Sequence, residues 1–144
     1  MKFFTRLLCV LGLTSAAQAG EVPLHEGDCW SYHTRPGEEA SFIVIRKIEH
    51  FPKAGEVVHM SIFGLHMKNP HTASGFSSEI PHMPISVESL RRSLIKKLSR
   101  EAPECDWQSG YNIWQDANAG AFTESVNESV KFTEDTLNHG KPQA

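Results

Sequence analysis

The run Phe42-Ile43-Val44-Ile45 constrains this chain most. Three of its four residues are β-branched, stiff at χ1 and suited to a pleated surface, so the run predicts a strand. No polar residue alternates within it, so the first half of a strand spanning Ser41 to Glu49 should be covered on both faces. Cys29 to Thr34 alternates in the manner of a strand with two unlike faces. Arg35, Pro36, Gly37 and Glu38 supply a turn in which Gly37 can take the positive φ of a type II bend. Pro52 and Gly55 punctuate the next connection, and Glu56 to Met67 gives a third strand, paired with the second as an antiparallel hairpin or meander.

Asn69 to Pro84, with prolines at 70, 81 and 84 and no periodicity, reads as a long loop. Ser86 can cap a helix running to Arg100, with Val87, Leu90, Leu94, Ile95 and Leu98 as its apolar stripe. Arg91, Arg92, Lys96, Lys97 and Arg100 form the basic remainder of that helix. Trp107 to Ala117 gives a second helical stretch with Trp107, Tyr111 and Trp114 on one side. A third begins at the capping-box pair Ser125 and Glu128 and stops at Gly140 and Pro142. Strands first and helices after predict an α+β fold: a small antiparallel sheet of about three strands, then two or three helices, with one disulfide.

Residues 1–19 read as a cleavable signal peptide. Lys2 and Arg6 precede the apolar stretch Leu7 to Leu13, and Ala17-Gln18-Ala19 places small residues at the cleavage positions. The expected product is a single domain, 20–144, in the bacterial periplasm, and no later run is long enough to span a bilayer. Cys9 would leave with the signal, so Cys29 and Cys105 would remain in an oxidising compartment and are expected to pair. Cleavage would leave twelve basic against seventeen acidic residues, a net charge of −5. That balance argues against nucleic acid as a partner, because phosphate binding needs clustered Lys and Arg.

The remaining polar residues bear on metal binding and catalysis. All three methionines after Met1 follow a histidine, as His59-Met60, His66-Met67 and His82-Met83, a combination of soft and imidazole ligands suited to copper or silver. Neighbours along a strand face apart, however, so each pair grips one ion poorly, and Met60 falls in register with Val58 and Ile62 as a core residue. His33 with Glu38 and Glu39 is the nearest approach to a catalytic group, and an exposed turn of this kind is ordinarily solvated. No catalytic residue, metal or cofactor is assigned. Trp30, Trp107 and Trp114 read as core anchors.

The segments Trp30-Ser31-Tyr32, Thr34-Arg35-Pro36-Gly37-Glu38-Glu39, Gly55-Glu56-Val57-Val58-His59 and Pro81-His82-Met83-Pro84 resemble a group of small exported bacterial proteins of uncharacterised function. The resemblance implies export and a single domain, and carries no activity with it. The sequence therefore points to a non-enzymatic periplasmic domain that binds another protein, such as an immunity or inhibitor protein acting on a secreted toxin or envelope enzyme. The expected contacts are Ser74, Gly75 and Phe76 of the loop with Arg91 and Arg92 of the basic helix. A copper, silver or zinc protein using His and Met residues is the alternative.

Overall fold

The computed structural model describes residues 22–139. The expected signal segment, its cleavage point and the helix stop at Gly140 and Pro142 lie outside the described residues. Five strands, β1 (Cys29–Tyr32), β2 (Phe42–Phe51), β3 (Gly55–Lys68), β4 (Phe76–Ser86) and β5 (Leu94–Leu98), form one antiparallel sheet in the order β4-β3-β2-β1-β5. Three helices accompany it: α1 (Val87–Ser93), α2 (Trp107–Asp116) and α3 (Val126–His139). The fold is α+β, but with five strands rather than three.

Both added strands come from segments with misleading local signals. Most of the expected loop 69–84 is β4, because prolines are tolerated at bulges and on an edge strand, and β4 is an edge. The turn itself is confined to the residues before Phe76. The expected helix from Ser86 to Arg100 stops at Ser93, and Leu94 leaves it in an extended conformation. Residues 94–98 then cross to the free edge of β1, where Leu94 pairs with Tyr32 and Leu98 with Cys29. Pairing an open edge satisfies a row of backbone groups that another turn of helix would have left unpaired.

Alternation along the strands splits the apolar residues between the two faces. Ile43, Ile45, Val58, Met60, Ile62, Met83 and Ile85 meet Leu90 of α1 and Val126 and Val130 of α3 in the larger core. Cys29, Phe42 and Val44 lie on the opposite face with Phe63, Leu98 and Ala102. Helix α3 begins with the capping box read from the sequence: Glu128 N–H donates to Ser125 Oγ at 3.3 Å, and Ser125 N–H donates to Glu128 Oε1 at 3.2 Å.

Cys29 and Cys105 are free thiols, which overturns the expected disulfide. Cys29 pairs across the sheet with Val44, and Val44 with Ser61, so Cys29 and Ser61 stand two strands apart, roughly 9–10 Å. Cys105 Sγ rests 3.3 Å from Ser61 Oγ and 3.4 Å from the Arg46 guanidinium. The Arg46 guanidinium also donates to Pro103 O at 2.6 Å, which fastens the 103–105 segment over β2 and β3. The two thiols thus sit over different strands, Cys29 in β1 and Cys105 against Ser61 of β3.

An ion-pair clamp closes the far end of β3. Arg35 grips Glu38 with two bonds of 2.8 and 2.7 Å and reaches Glu134 of α3 at 2.8 Å. The two carboxylates in turn accept the backbone N–H groups of His66 and Lys68 at 2.7 and 2.6 Å. Those residues lie beyond the last β2–β3 pair, Phe42 with Phe63, so the carboxylates serve where β2 has ended. Gly37, at φ 89°, makes the preceding turn possible. Burial pushes the Glu38 carboxyl up, but the Arg35 guanidinium and the His66 N–H hold it below the usual range.

Arg35→Ala strands Glu38, only 4 % exposed, as a buried unpaired carboxylate, and chemical denaturation should register a loss of roughly 3 kcal/mol. Alkylation without reductant should label Cys105 in the folded protein and Cys29 only after unfolding, as read by peptide mass mapping.

Candidate functional site

The site is built by two irregularities in the sheet facing each other across β3. Met60 pairs with Met83 and Ile62 with Ile80, so Ser61 alone opposes both Pro81 and His82, which is a bulge in β4. Across β3, Ile45 pairs with Met60 and Lys47 with His59, leaving Arg46 as the extra residue of β2. Each bulge keeps the core residues on either side of it pointing inward while turning two consecutive residues outward. His82, Arg46 and Lys47 thereby join Glu49, His59 and Ser61 on the face covered by α2.

His59 is the centre of this face and is 0 % exposed. Its Nε2 lies 3.0 Å from Glu49 Oε1 and its Nδ1 lies 2.9 Å from His82 Nε2. A carboxylate can only accept, so the Nε2 of His59 carries the proton and its Nδ1 the lone pair. His82 Nε2–H therefore donates to His59, His59 donates to Glu49, and Tyr111 OH of α2 donates to the same carboxylate at 3.0 Å. Burial pushes both imidazoles down, His59 despite the opposing pull of Glu49, and His82 to about 4. Burial likewise pushes the Tyr111 hydroxyl up, reinforced by Glu49.

Aromatic rings roof the chain of hydrogen bonds. Tyr111 and Trp114 meet the His59 ring edge-on at centroid distances of 4.8 and 4.6 Å and stack on each other at 5.9 Å. Lys47 Nζ stands 5.5 Å from the Tyr111 ring. Gly110 sets how closely α2 approaches, since a Cβ there would come within 2.8 Å of His82 Cβ. Asp106 caps the helix by accepting from Ser109 N–H at 3.1 Å.

Beyond Trp114, toward the β2–β3 turn, the same face opens into a groove of about 640 Å³. Phe51, Pro52, Ala54, Val57, Ala119 and Ala121 give it an apolar lining, with Lys53 and Asn118 beside them. Phe51 and Trp114 meet edge to face at 5.9 Å. Trp114 also donates its indole N–H to Gly120 O at 2.9 Å, fixing the 117–121 segment that forms the opposite wall. One indole therefore walls the groove and covers the buried histidine.

Comparison with protein-family models, curated proteins and solved structures finds no match to this chain.

The residues singled out from the sequence lie elsewhere. Ser74 and Gly75 sit in the β3–β4 turn, and Phe76 opens β4 and stacks on His66 at 4.2 Å. Arg91 donates to Val22 O at 2.6 Å, and Arg92 to Thr123 O and Ser89 Oγ at 3.2 Å, so both fasten the fold to itself. The His33 ring makes no hydrogen bond to Glu38 or Glu39 among the described residues, and Glu38 belongs to the Arg35 clamp. In the His-Met pairs, Met60, Met67 and Met83 are buried while His66 is exposed and His59 and His82 face α2. No group of three or more His, Cys, Asp or Glu suited to a metal ion occurs among the described residues. Trp30 is buried as expected, whereas Trp107 and Trp114 are only partly covered and belong to the roof of the site.

The histidine chain makes stability depend on pH. The unfolded chain, with histidines near 6.5, binds protons that the folded chain refuses between about pH 6.5 and 4. The contribution is full above pH 6.5 and falls as pH drops toward 4. Urea midpoints should decline across that window, and His82→Gln, which retains a donor for His59, should flatten the decline. An unchanged slope in that variant would remove His82 from the account.

Proposed function

We propose that the chain is a non-enzymatic binding protein whose ligand is a small, largely apolar molecule seated in the groove between Phe51, Val57, Trp114 and the 118–123 segment. The carrying observation is the groove: about 640 Å³, inside the roughly 300–1,000 Å³ typical of small-molecule sites, and lined by aromatic and aliphatic side chains. Its walls are fixed before any ligand arrives. Val57 is a sheet residue, Phe51 ends β2, and Trp114 is held by His59 on one side and by Gly120 on the other. Preformed walls spare the ordering cost that a flexible site would meet on binding.

A large protein partner has weaker support, because the long 69–84 loop and the continuous basic helix that motivated it are not features of the fold. The segment is mostly β4, and Arg91 and Arg92 spend hydrogen bonds internally. Export by the expected signal peptide belongs to the same proposal and would place the binder in the periplasm.

N-phenyl-1-naphthylamine, a neutral apolar dye that brightens when it leaves water, tests the reading. It should bind the purified chain at about 10 μM or tighter, roughly 7 kcal/mol. Trp114→Ala should weaken binding at least about tenfold. Ala121→Trp, which fills the groove from its other wall, should do the same with thermal stability retained; unchanged dye binding in that variant would sink the proposal.

A further inference from the structure

From the two positions that Trp114 fills at once, groove wall and cover of His59, we infer that protons gate the groove. Its ligand is held near neutral pH and released in mild acid, when the His59–His82 pair takes on a charge it cannot house and α2 lifts from the sheet. This inference rests on the groove being a ligand site and adds how that site is regulated.

One wall of the groove travels with α2. Trp114 belongs to the helix, and Asn118, Ala119, Gly120 and Ala121 follow directly from its end, whereas Phe51 and Val57 belong to the sheet. Both flanks of this stretch are fastened by groups that mild acid leaves alone. Upstream, Pro103 O accepts from the Arg46 guanidinium at 2.6 Å; downstream, Phe122 exchanges backbone bonds with Pro84 and Ser86 at 3.0 and 2.9 Å. Between those anchors α2 has no buried residue. Apart from Trp114 against Phe51, its side chains meet the sheet around the histidine pair: Tyr111 bonds Glu49 and meets His59, Trp114 covers His59 at 4.6 Å, and Gly110 lies over His82. A segment tied at both ends and resting on one polar centre can open locally while the remainder stays folded.

The pair has room for one hydrogen between its facing nitrogens, His59 Nδ1 and His82 Nε2, 2.9 Å apart. A first added proton can be housed. His59 as imidazolium donates to Glu49 through Nε2 and to His82 through Nδ1, and His82 moves its own hydrogen to the other nitrogen. A second proton would put hydrogen on both facing nitrogens and stand two like charges side by side beneath aromatic rings. The charged and titratable groups facing the pair are Glu49 and Lys47 of β2 and Tyr111 of α2. Glu49 offsets one imidazolium, Lys47 adds to the repulsion, and Tyr111 is a neutral donor. Arg46, on the same face, is turned to Ser61, Pro103 and Cys105, and Asp106 and Asp116 at the ends of α2 are exposed. Burial and the His59 charge hold His82 at about 4 while α2 is down, against about 6.5 once the ring is exposed. The closed form is therefore at full strength above pH 6.5 and weakens as pH falls toward 4. At pH 5 the lifted form gains about thirtyfold from His82 alone.

Titration of the purified chain with N-phenyl-1-naphthylamine at pH 7.5 and pH 5.0 tests the gate, since the dye is neutral at both. Affinity should fall at least about fivefold at pH 5.0 and return at pH 7.5, with far-UV circular dichroism showing the sheet intact. His82→Gln, which cannot take the second charge, should hold affinity within about twofold over the same range. A measurement without dye follows α2 itself. In Trp107→Phe, acrylamide quenching of tryptophan fluorescence should rise at pH 5.0, because Trp30 is buried and Trp114 is the indole that becomes exposed. Equal dye affinity at both pH values, or a fall accompanied by loss of the sheet, overturns the gate and leaves the groove a ligand site. A fall with unchanged quenching overturns the lifting of α2, and a fall that persists in His82→Gln overturns the role given to the pair. Failure of the dye to bind at pH 7.5 overturns the groove as a ligand site and the gate with it.

Discussion

A histidine without exposed surface must have both ring nitrogens satisfied inside the protein, and the arrangement around His59 follows from that requirement. One nitrogen takes Glu49 from β2 and the other takes His82 from β4, so a single β3 side chain ties together three strands at one level of the sheet. Helix α2 has no fully buried residue of its own and is held through what it offers this centre: the Tyr111 hydroxyl, the Trp114 ring and the bare backbone of Gly110. Leaving any member unpaired in this setting costs the desolvation of a buried polar group, about 1–3 kcal/mol.

The two faces of the sheet therefore do different work. The larger core is apolar and closed by α1 and α3, and it accounts for most of the buried hydrocarbon. The opposite face is part apolar, around Phe42 and Val44, and part polar, around His59 and Arg46. Bulges at Arg46 and at Pro81–His82 allow this by changing which side chains emerge on the α2 side without shifting the register of the core beneath.

What could be read from the sequence followed the range of the signals. The β-branched run, the Gly37 turn and the Ser125–Glu128 capping box are local, and each appears in the structure where its chemistry puts it. The capacity of Leu94–Leu98 to act as a strand depends on β1 having an edge to fill some 65 residues away, which no local pattern reports. Prolines at 81 and 84 concealed β4 for a related reason, since an edge strand with a bulge tolerates what a central strand would not. The site was legible only in fragments. His59 and His82 stand out in the sequence as members of His-Met pairs, but their meeting with each other and with Glu49 depends on strand pairing and on two bulges. Compartment and cysteine number favour a disulfide, but position decides pairing, and Cys29 lies in β1 while Cys105 rests on Ser61 of β3.

The sheet's two rims carry a further consequence, for how the molecule behaves in company. At β5 the outward stretch Ile95-Lys96-Lys97 is exposed and twice charged. At β4 two prolines withhold amide protons, and residue 122 covers part of the rim by exchanging bonds with Pro84 and Ser86. Neither rim presents a long, flat, uncharged row of amides for another copy to continue. Growth of the sheet from molecule to molecule is thus discouraged at both ends, which favours separate particles in a crowded compartment over fibrils.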